Sequence, residues 1–159
     1  LPTLELPDGT HITQSMAIMM YLERVHPAVS LLPTEPLLYA KIIGLAEIIN
    51  AGIQPLQNLS VLQFLNKQDP SKDLSMSWAR GVIQRGLEDL ESLVAASNTQ
   101  YLLTDTPTIA ECCLIPQLYN ARRFGCDLSK VQRLLEVEQA CEKLEAFLQA
   151  HPSVQPDAQ

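Results

Sequence analysis

The sequence is poor in basic residues and contains no cluster of them. It has 11 Lys and Arg against 18 Asp and Glu over 159 residues, which gives a formal net charge of −7. Nucleic acids and anionic membranes are bound by clustered Lys and Arg, so this composition predicts neither partner. An anionic small molecule would have to be held by a local device, such as a helix N-terminus or a single placed arginine.

Metal-binding and disulfide patterns are also lacking. The four cysteines, Cys112, Cys113, Cys126 and Cys141, show no Cys-x-x-Cys or His pairing of metal-site spacing. All but Cys126 lie on apolar helical stretches and are expected to fill the core, whereas Cys126 follows a glycine in a loop and can be exposed. Since no signal peptide and no apolar run long enough to span a bilayer is recognised, we expect free thiols and a cytoplasmic location.

What the sequence does contain begins with a strand-turn-strand pattern. "PTLEL" alternates like a strand, "PDG" signals a turn and "THIT" reads as a second strand, so a hairpin is predicted over residues 2–13. An apolar pattern of helical period then runs from Ser15 to His26. Ser15 stands where a helix N-cap belongs, and the same corner can hold an anion; the residues alone leave both uses open.

The rest of the chain reads as a linker followed by helices. Three prolines in residues 27–36 predict an extended linker. Gly52 and Pro55 should bend the first long helix, and Thr108 with Glu111 has the spacing of a capping box. Amphipathic stripes predict helices over residues 37–66, 78–93, 108–125 and 131–151.

Two polar pairs stand out within these helices. Gln54 and Asn58 are spaced i,i+4 around Pro55 and can share a helix face, which either meets solvent or lines a cleft. Arg122 and Arg123 lie near a helix C-terminus, where a cation complements the helix dipole. These two adjacent arginines cannot both point into one cleft.

Five segments carry a resemblance to a known family. "QSMAIMMYLE", "SLLP", "AGIQPLQNLSVL", "TIAECCLIPQLYNARRF" and "HPSVQPDA" resemble the zeta class of the glutathione transferases. The resemblance implies the cytosolic glutathione transferase fold, in which a partial thioredoxin-like α/β segment (hairpin plus helix) precedes an all-α helical bundle domain. The implied parts are the thioredoxin-like segment at residues 1–26, a linker at 27–35 and the helical domain at 36–159.

The resemblance also implies residues that bind glutathione. It assigns the γ-glutamyl carboxylate to Gln14 and Ser15, and the cysteinyl backbone to Leu1 beside a cis Pro2. Further contacts with glutathione are implied at Gln54, Asn58, Leu59 and Ser60.

A carboxylate of the substrate is assigned by the same resemblance to Arg123, since an arginine fork suits a carboxylate. No catalytic residue is implied within the chain, so the activity is expected of the parent protein, and the chain as given is expected to be inactive. The chain opens at Leu1 rather than Met, and the first third of the thioredoxin-like domain, with a Ser-Ser-Cys-type catalytic loop, is expected to precede it.

The implied activity is the glutathione-dependent cis-trans isomerisation of maleylacetoacetate-type substrates in tyrosine and phenylalanine catabolism, with glutathione transferase activity. The implied cofactor is glutathione, the substrate is a small dicarboxylic acid, and the expected assembly is a homodimer. Two alternatives stay open, namely a maleylpyruvate isomerase and a non-catalytic transferase-like interaction module.

Overall fold

The hairpin predicted at the start of the chain is present in the structure, a computed structural model that describes residues 2–69, 72–156 and 158. Strands β1 (Thr3–Glu5) and β2 (His11–Thr13) pair antiparallel, with Leu4 opposite Ile12. Gly9 lies in the turn with a φ of 83°, which glycine adopts without steric cost. The second strand leads directly into the first helix.

The described residues form seven α-helices. Their bounds are α1 (Ser15–Val25), α2 (Pro36–Glu47), α3 (Leu59–Gln68), α4 (Leu74–Val94), α5 (Ile109–Arg123), α6 (Gln132–Cys141) and α7 (Glu145–Ala150).

The helix predicted over residues 37–66 is interrupted in its middle. Between α2 and α3 the chain forms a π-helical turn at Ile48–Ile53 and a 3-10 turn at Gln54–Gln57. Pro55 has no N–H to donate to an α-helical ladder, which favours this change of winding. The break expected near Pro55 therefore takes the form of two differently wound turns.

The prediction of one continuous helix over residues 131–151 was wrong. The chain leaves the helical conformation at Leu144, where φ is −90° and ψ is 126°, between α6 and α7. Leu144 and Phe147 both pack against the core. The break loses helical hydrogen bonds, and the burial of these two apolar side chains offsets that loss in stability.

The core lies among α2, α4, α5 and α6. Fully buried side chains from these helices include Ile42, Ile83, Leu114 and Leu134. Gly86 of α4 marks a close approach, because a Cβ at that position would lie 2.4 Å from Cγ1 of Ile53. The π-helical turn is thus packed directly on α4.

Helix α1 is attached to this same core. Met16 and Met19 pack against its buried side chains, as do Leu31 and Leu32 from the segment that follows α1. The Ile109 N–H donates to the Leu31 carbonyl at 3.2 Å. These contacts seat α1 on the helical region, while the division into separate domains at residues 26 and 36 stays a prediction.

The capping box predicted at Thr108 and Glu111 is confirmed. The Glu111 carboxylate is fully buried and accepts the Thr108 N–H at 2.7 Å and the Leu102 N–H at 2.9 Å. It therefore joins the start of α5 to the preceding loop.

One segment, Pro36–Gln68, is long and apolar enough to cross a membrane by length and composition alone. This corrects the expectation that the sequence holds no such run. Between residues 36 and 66 only Lys41 and Glu47 carry charge. The segment is wound in three different ways along its length.

Candidate functional site

The first candidate feature is the corner where β2 meets α1. Gln14 is the N-cap of α1 and has a φ of 74° and a ψ of 124°, a backbone conformation that favours glycine. A residue with a side chain held in such a region costs about 1–3 kcal/mol. Strain of this kind persists where the surrounding structure or a function requires it.

Ser15 is not the N-cap that its position in the sequence suggested. Helix α1 begins at Ser15 itself, so the cap falls on Gln14, whose side chain makes no capping hydrogen bond. The first helical hydrogen bond runs from the Ile18 N–H to the Gln14 carbonyl at 3.0 Å, which leaves the N–H groups of residues 15–17 without a helical acceptor. Gln14 and Ser15 are both exposed.

The chemistry of this corner suits a carboxylate. Uncapped N–H groups, the Ser15 hydroxyl and the Gln14 amide face solvent at the positive end of a helix dipole. Such an end binds anions through its backbone donors, even on a protein of negative net charge.

The second candidate feature is residues 54–58, which we call the 54–58 turn. Gln54 begins the 3-10 turn, and Asn58 has an extended backbone with φ −61° and ψ 146°. The two residues therefore do not share one face of an α-helix, and that prediction was wrong. Both are exposed, and the Asn58 side chain makes no capping hydrogen bond to α3.

Leu59 and Ser60 are the first two residues of α3, and both are exposed. The Asn58 carbonyl accepts hydrogen bonds from the Val61 N–H at 2.9 Å and the Leu62 N–H at 3.1 Å. The N–H groups of Leu59 and Ser60 precede these bonds and have no helical acceptor. A role for Leu59 and Ser60 in binding glutathione stays a prediction.

The two adjacent arginines at the end of α5 have different environments. Arg122 forms a bidentate ion pair with Glu138 of α6, at 2.5 and 2.6 Å, and this pairing raises the pKa of Arg122. Arg123 is exposed and donates from Nη1 to Oδ1 of Asn120 at 3.3 Å. Both arginines reach solvent, but the Arg122 guanidinium is engaged by Glu138, whereas Arg123 carries one long hydrogen bond to Asn120 and keeps donors for a further carboxylate.

These candidate residues lie on three separate elements. Within residues 2–69, 72–156 and 158, no hydrogen bond or ion pair joins the α1 corner, the 54–58 turn and Arg123 to one another. Leu1 and the Leu1–Pro2 bond that was expected to be cis lie outside the described residues. A cleft of about 610 Å³ beside α1 and α2 includes Tyr21 and Tyr39 in its lining but none of the candidate residues.

The thiols of the chain are poorly suited to nucleophilic chemistry. Burial raises the pKa of Cys112 to about 11 and the pKa values of Cys113 and Cys141 to about 12. Cys126 is half-buried, and burial raises its pKa as well. Among the described residues, no group of His, Cys, Asp and Glu side chains is arranged to hold a metal ion.

Two residues that contact the 54–58 turn, Gln117 and Trp78, were missed by the sequence reasoning. Gln57 donates from Nε2 to Oε1 of Gln117 on α5 at 2.9 Å, and Trp78 of α4 donates from Nε1 to the Leu56 carbonyl at 2.9 Å. A polar residue on an otherwise apolar helix face was the available signal for Gln117. Nothing local distinguished Trp78 from a core aromatic residue.

No family model matches the chain, but individual proteins do. It is 40% identical over 157 residues to probable maleylacetoacetate isomerase 1 of Drosophila melanogaster, a match that covers 99% of this chain and 61% of that protein. It is 39% identical to maleylacetoacetate isomerase of Mus musculus, with 99% of this chain and 70% of that protein covered. The chain thus spans less than two thirds of the first of these relatives.

Solved structures give the same answer for the fold. Maleylacetoacetate isomerase from Anaeromyxobacter dehalogenans 2CP-1, with glutathione bound in its active site, superposes with a TM-score of 0.94 at 44% identity over 100% of this chain and 74% of that one. The same protein has been solved with dicarboxyethyl glutathione and citrate in the active site, with an equal TM-score, identity and coverage. A maleylpyruvate isomerase described as a bacterial zeta-class glutathione S-transferase superposes with a TM-score of 0.94 at 33% identity, over 100% of this chain and 76% of that one.

The predicted glutathione transferase fold is therefore confirmed. The expectation of a segment before Leu1 gains no support from these comparisons, which match this chain over its own length. This chain covers more than two thirds of several of these relatives, and its sequence identity to them is high enough to assign it to their family. The chain belongs to the zeta class of the glutathione transferases, the family of the maleylacetoacetate isomerases.

Proposed function

We propose that this protein binds glutathione and uses it to isomerise maleylacetoacetate-type substrates from cis to trans. Family membership supports the reaction, and the observation that carries the site is the strained, uncapped corner at Gln14 and Ser15. A helix start that served only as a structural element would gain stability from a side-chain cap and a relaxed backbone. This corner has neither, and its free donors suit the γ-glutamyl carboxylate of glutathione.

The glutathione site of the proposal combines the two candidate features. The N–H groups at the start of α1 and the Ser15 hydroxyl hold the carboxylate, and the Gln14 amide donates beside them. Leu1, outside the described residues, binds the cysteinyl backbone. The exposed groups of the 54–58 turn and the start of α3 complete the site through Gln54, Asn58, Leu59 and Ser60.

When bound, glutathione would supply the thiolate nucleophile for reversible addition to the substrate double bond, the chemistry by which a cis double bond is converted to trans. The residues of this chain bind and orient, which are positioning tasks. Burial raises the pKa values of Cys112, Cys113 and Cys141, so these thiols do not take the place of the glutathione thiolate as nucleophile. We assign no described side chain to the activation of the glutathione sulfur.

Arg123 is the proposed partner of a substrate carboxylate. Its guanidinium is exposed and carries a single long hydrogen bond to Asn120, so its remaining donors can form a fork to a carboxylate. The relative that was solved with dicarboxyethyl glutathione and citrate shows that dicarboxylic groups enter the site of that protein. The likeness to a maleylpyruvate isomerase keeps maleylpyruvate as a second candidate substrate.

We further propose a cytoplasmic homodimer that binds neither nucleic acid nor a membrane. The net charge of −7 disfavours anionic polymers. The apolar segment Pro36–Gln68 contributes Ile42, Ile49 and Ile53 to the protein core, which favours a core role over a spanning one. Exposed apolar side chains such as Phe64 and Leu93 favour a partner subunit. Sedimentation as a monomer at micromolar concentration would contradict the dimer.

The function is tested by following isomerisation of a maleyl substrate with and without glutathione, together with calorimetric titration of glutathione. The expected result is turnover of a maleyl substrate that requires glutathione, and a comparison of maleylacetoacetate with maleylpyruvate identifies which of the two is preferred. Glutathione binding without turnover of either substrate would favour the non-catalytic module. Absence of glutathione binding would reject the proposal.

A further inference from the structure

A buried pair of glutamine side chains joins the 54–58 turn to α5. Gln57 is 8% exposed and Gln117 is 0% exposed, and their single hydrogen bond of 2.9 Å connects positions 60 residues apart. The other two polar atoms of the pair, Oε1 of Gln57 and Nε2 of Gln117, have no hydrogen-bond partner within the described part of the chain. Buried polar atoms left unpaired destabilise a fold, so apolar side chains would serve packing alone better.

A second contact holds the neighbouring residue of the same turn. The Trp78 indole N–H of α4 donates to the Leu56 carbonyl at 2.9 Å. Just before the turn, the Ile53 side chain packs against Gly86 of α4, so closely that a Cβ at position 86 would collide with it. The turn is therefore held from α4 at Leu56 and from α5 at Gln57.

The turn needs such contacts because its own backbone fixes its orientation weakly. It follows a π-helical turn and is itself 3-10 helical, and both have poorer hydrogen-bond geometry than an α-helix. Pro55 removes one donor, and Asn58 does not cap α3 with its side chain. Directional hydrogen bonds from neighbouring helices supply what the local backbone lacks.

We propose that the Gln57–Gln117 pair is a positioning device for glutathione binding. Gln57 points into the core, whereas Gln54 and Asn58 at the ends of the turn are exposed. Anchoring Gln57 to α5 fixes the rotation of the turn that keeps these two amides outward. Gln57 and Gln117 do not touch glutathione; they orient the residues that do. This inference rests on the proposed assignment of Gln54 and Asn58 to the glutathione site.

The test compares Gln57→Leu, Gln117→Leu and the double variant with Gln63→Leu on the exposed face of α3. Each single change leaves a buried amide unpaired, so each should lower the melting temperature and weaken glutathione binding roughly tenfold. The double variant removes both amides and should regain most of the melting temperature. Its glutathione affinity should stay low, because packing between two leucines is not directional and does not fix the orientation of the 54–58 turn. Recovery of affinity together with stability would assign the pair a purely structural role and overturn the proposal.

A readout without ligand separates this inference from the proposed function. Trp78 is the only tryptophan in the sequence, and its indole N–H is hydrogen-bonded to the Leu56 carbonyl within the turn. Its fluorescence emission and the quenching of that emission by acrylamide therefore report on the turn directly. Both should change in the double variant and remain as in the native protein in Gln63→Leu. If the native protein binds no glutathione, the proposed function fails, and the Trp78 signal still decides whether the pair positions the turn. An unchanged Trp78 signal in the double variant would overturn the proposal.

Discussion

Replacing Gln14 by glycine should stabilise the protein while it weakens glutathione binding. Gln14 has a φ of 74°, and relief of that conformation is worth about 1–3 kcal/mol. A glycine adds freedom to the unfolded chain, which costs about 0.5–1 kcal/mol. The net gain of about 1 kcal/mol should raise the melting temperature by roughly 2–4 °C in a chain of this size.

Gln14→Ala is the matched control, because it also removes the amide but keeps the strained backbone. The glycine variant should melt above the alanine variant, as measured by circular dichroism. Both should bind glutathione about tenfold or more weakly in calorimetry, because a hydrogen bond to a charged group is worth about 1.5–3 kcal/mol. If the glycine variant melts below the alanine variant, the backbone at residue 14 stores no strain. Full glutathione affinity in the glycine variant would remove the Gln14 amide from the site.

Further perturbations address other parts of the molecule. Ser15→Ala should weaken glutathione binding and spare the substrate, whereas Arg123→Leu should do the reverse, each by roughly tenfold in the relevant constant; equal effects on one constant would contradict this division. Glu111→Ala should lower the free energy of unfolding in urea by about 3 kcal/mol or more, because its buried carboxylate accepts three hydrogen bonds. Cys112 and Cys113, with pKa values of about 11 and 12, should alkylate slowly at pH 8 until the protein is denatured. Because the unfolded thiols ionise first, stability should fall as pH rises above about 9.

The parts of the fold that could be predicted are those that local chemistry decides. The "PDG" turn fixes the hairpin, since glycine alone accepts the φ of 83° at Gly9 without steric cost. The capping box at Thr108 and Glu111 depends on a three-residue spacing that sequence shows directly.

The parts that failed depend on contacts between distant residues. An apolar stripe continues through residues 141–145, yet the chain turns there so that Leu144 and Phe147 both reach the core. Gln54 and Asn58 have α-helical spacing in the sequence, but the chain between them is not α-helical. Just before it Ile53 packs on Gly86, and within it Gln57 is hydrogen-bonded to α5. Periodicity cannot report such partners, because they lie dozens of positions away.

The sequence left two uses open for the Gln14-Ser15 corner, a structural helix cap and an anion site, and the backbone conformation distinguishes between them. A structural cap requires Ser15 to precede the first helical residue and to accept an N–H of the first turn. Ser15 is itself the first helical residue, and the side chain of the N-cap residue Gln14 makes no capping hydrogen bond to α1. The strain at Gln14 brings no capping hydrogen bond in return, so helix stability does not account for it. A carboxylate that accepts the free N–H groups would offset this cost, and the geometry of the corner, beside the likeness to relatives, supports the glutathione-binding role that we propose for it.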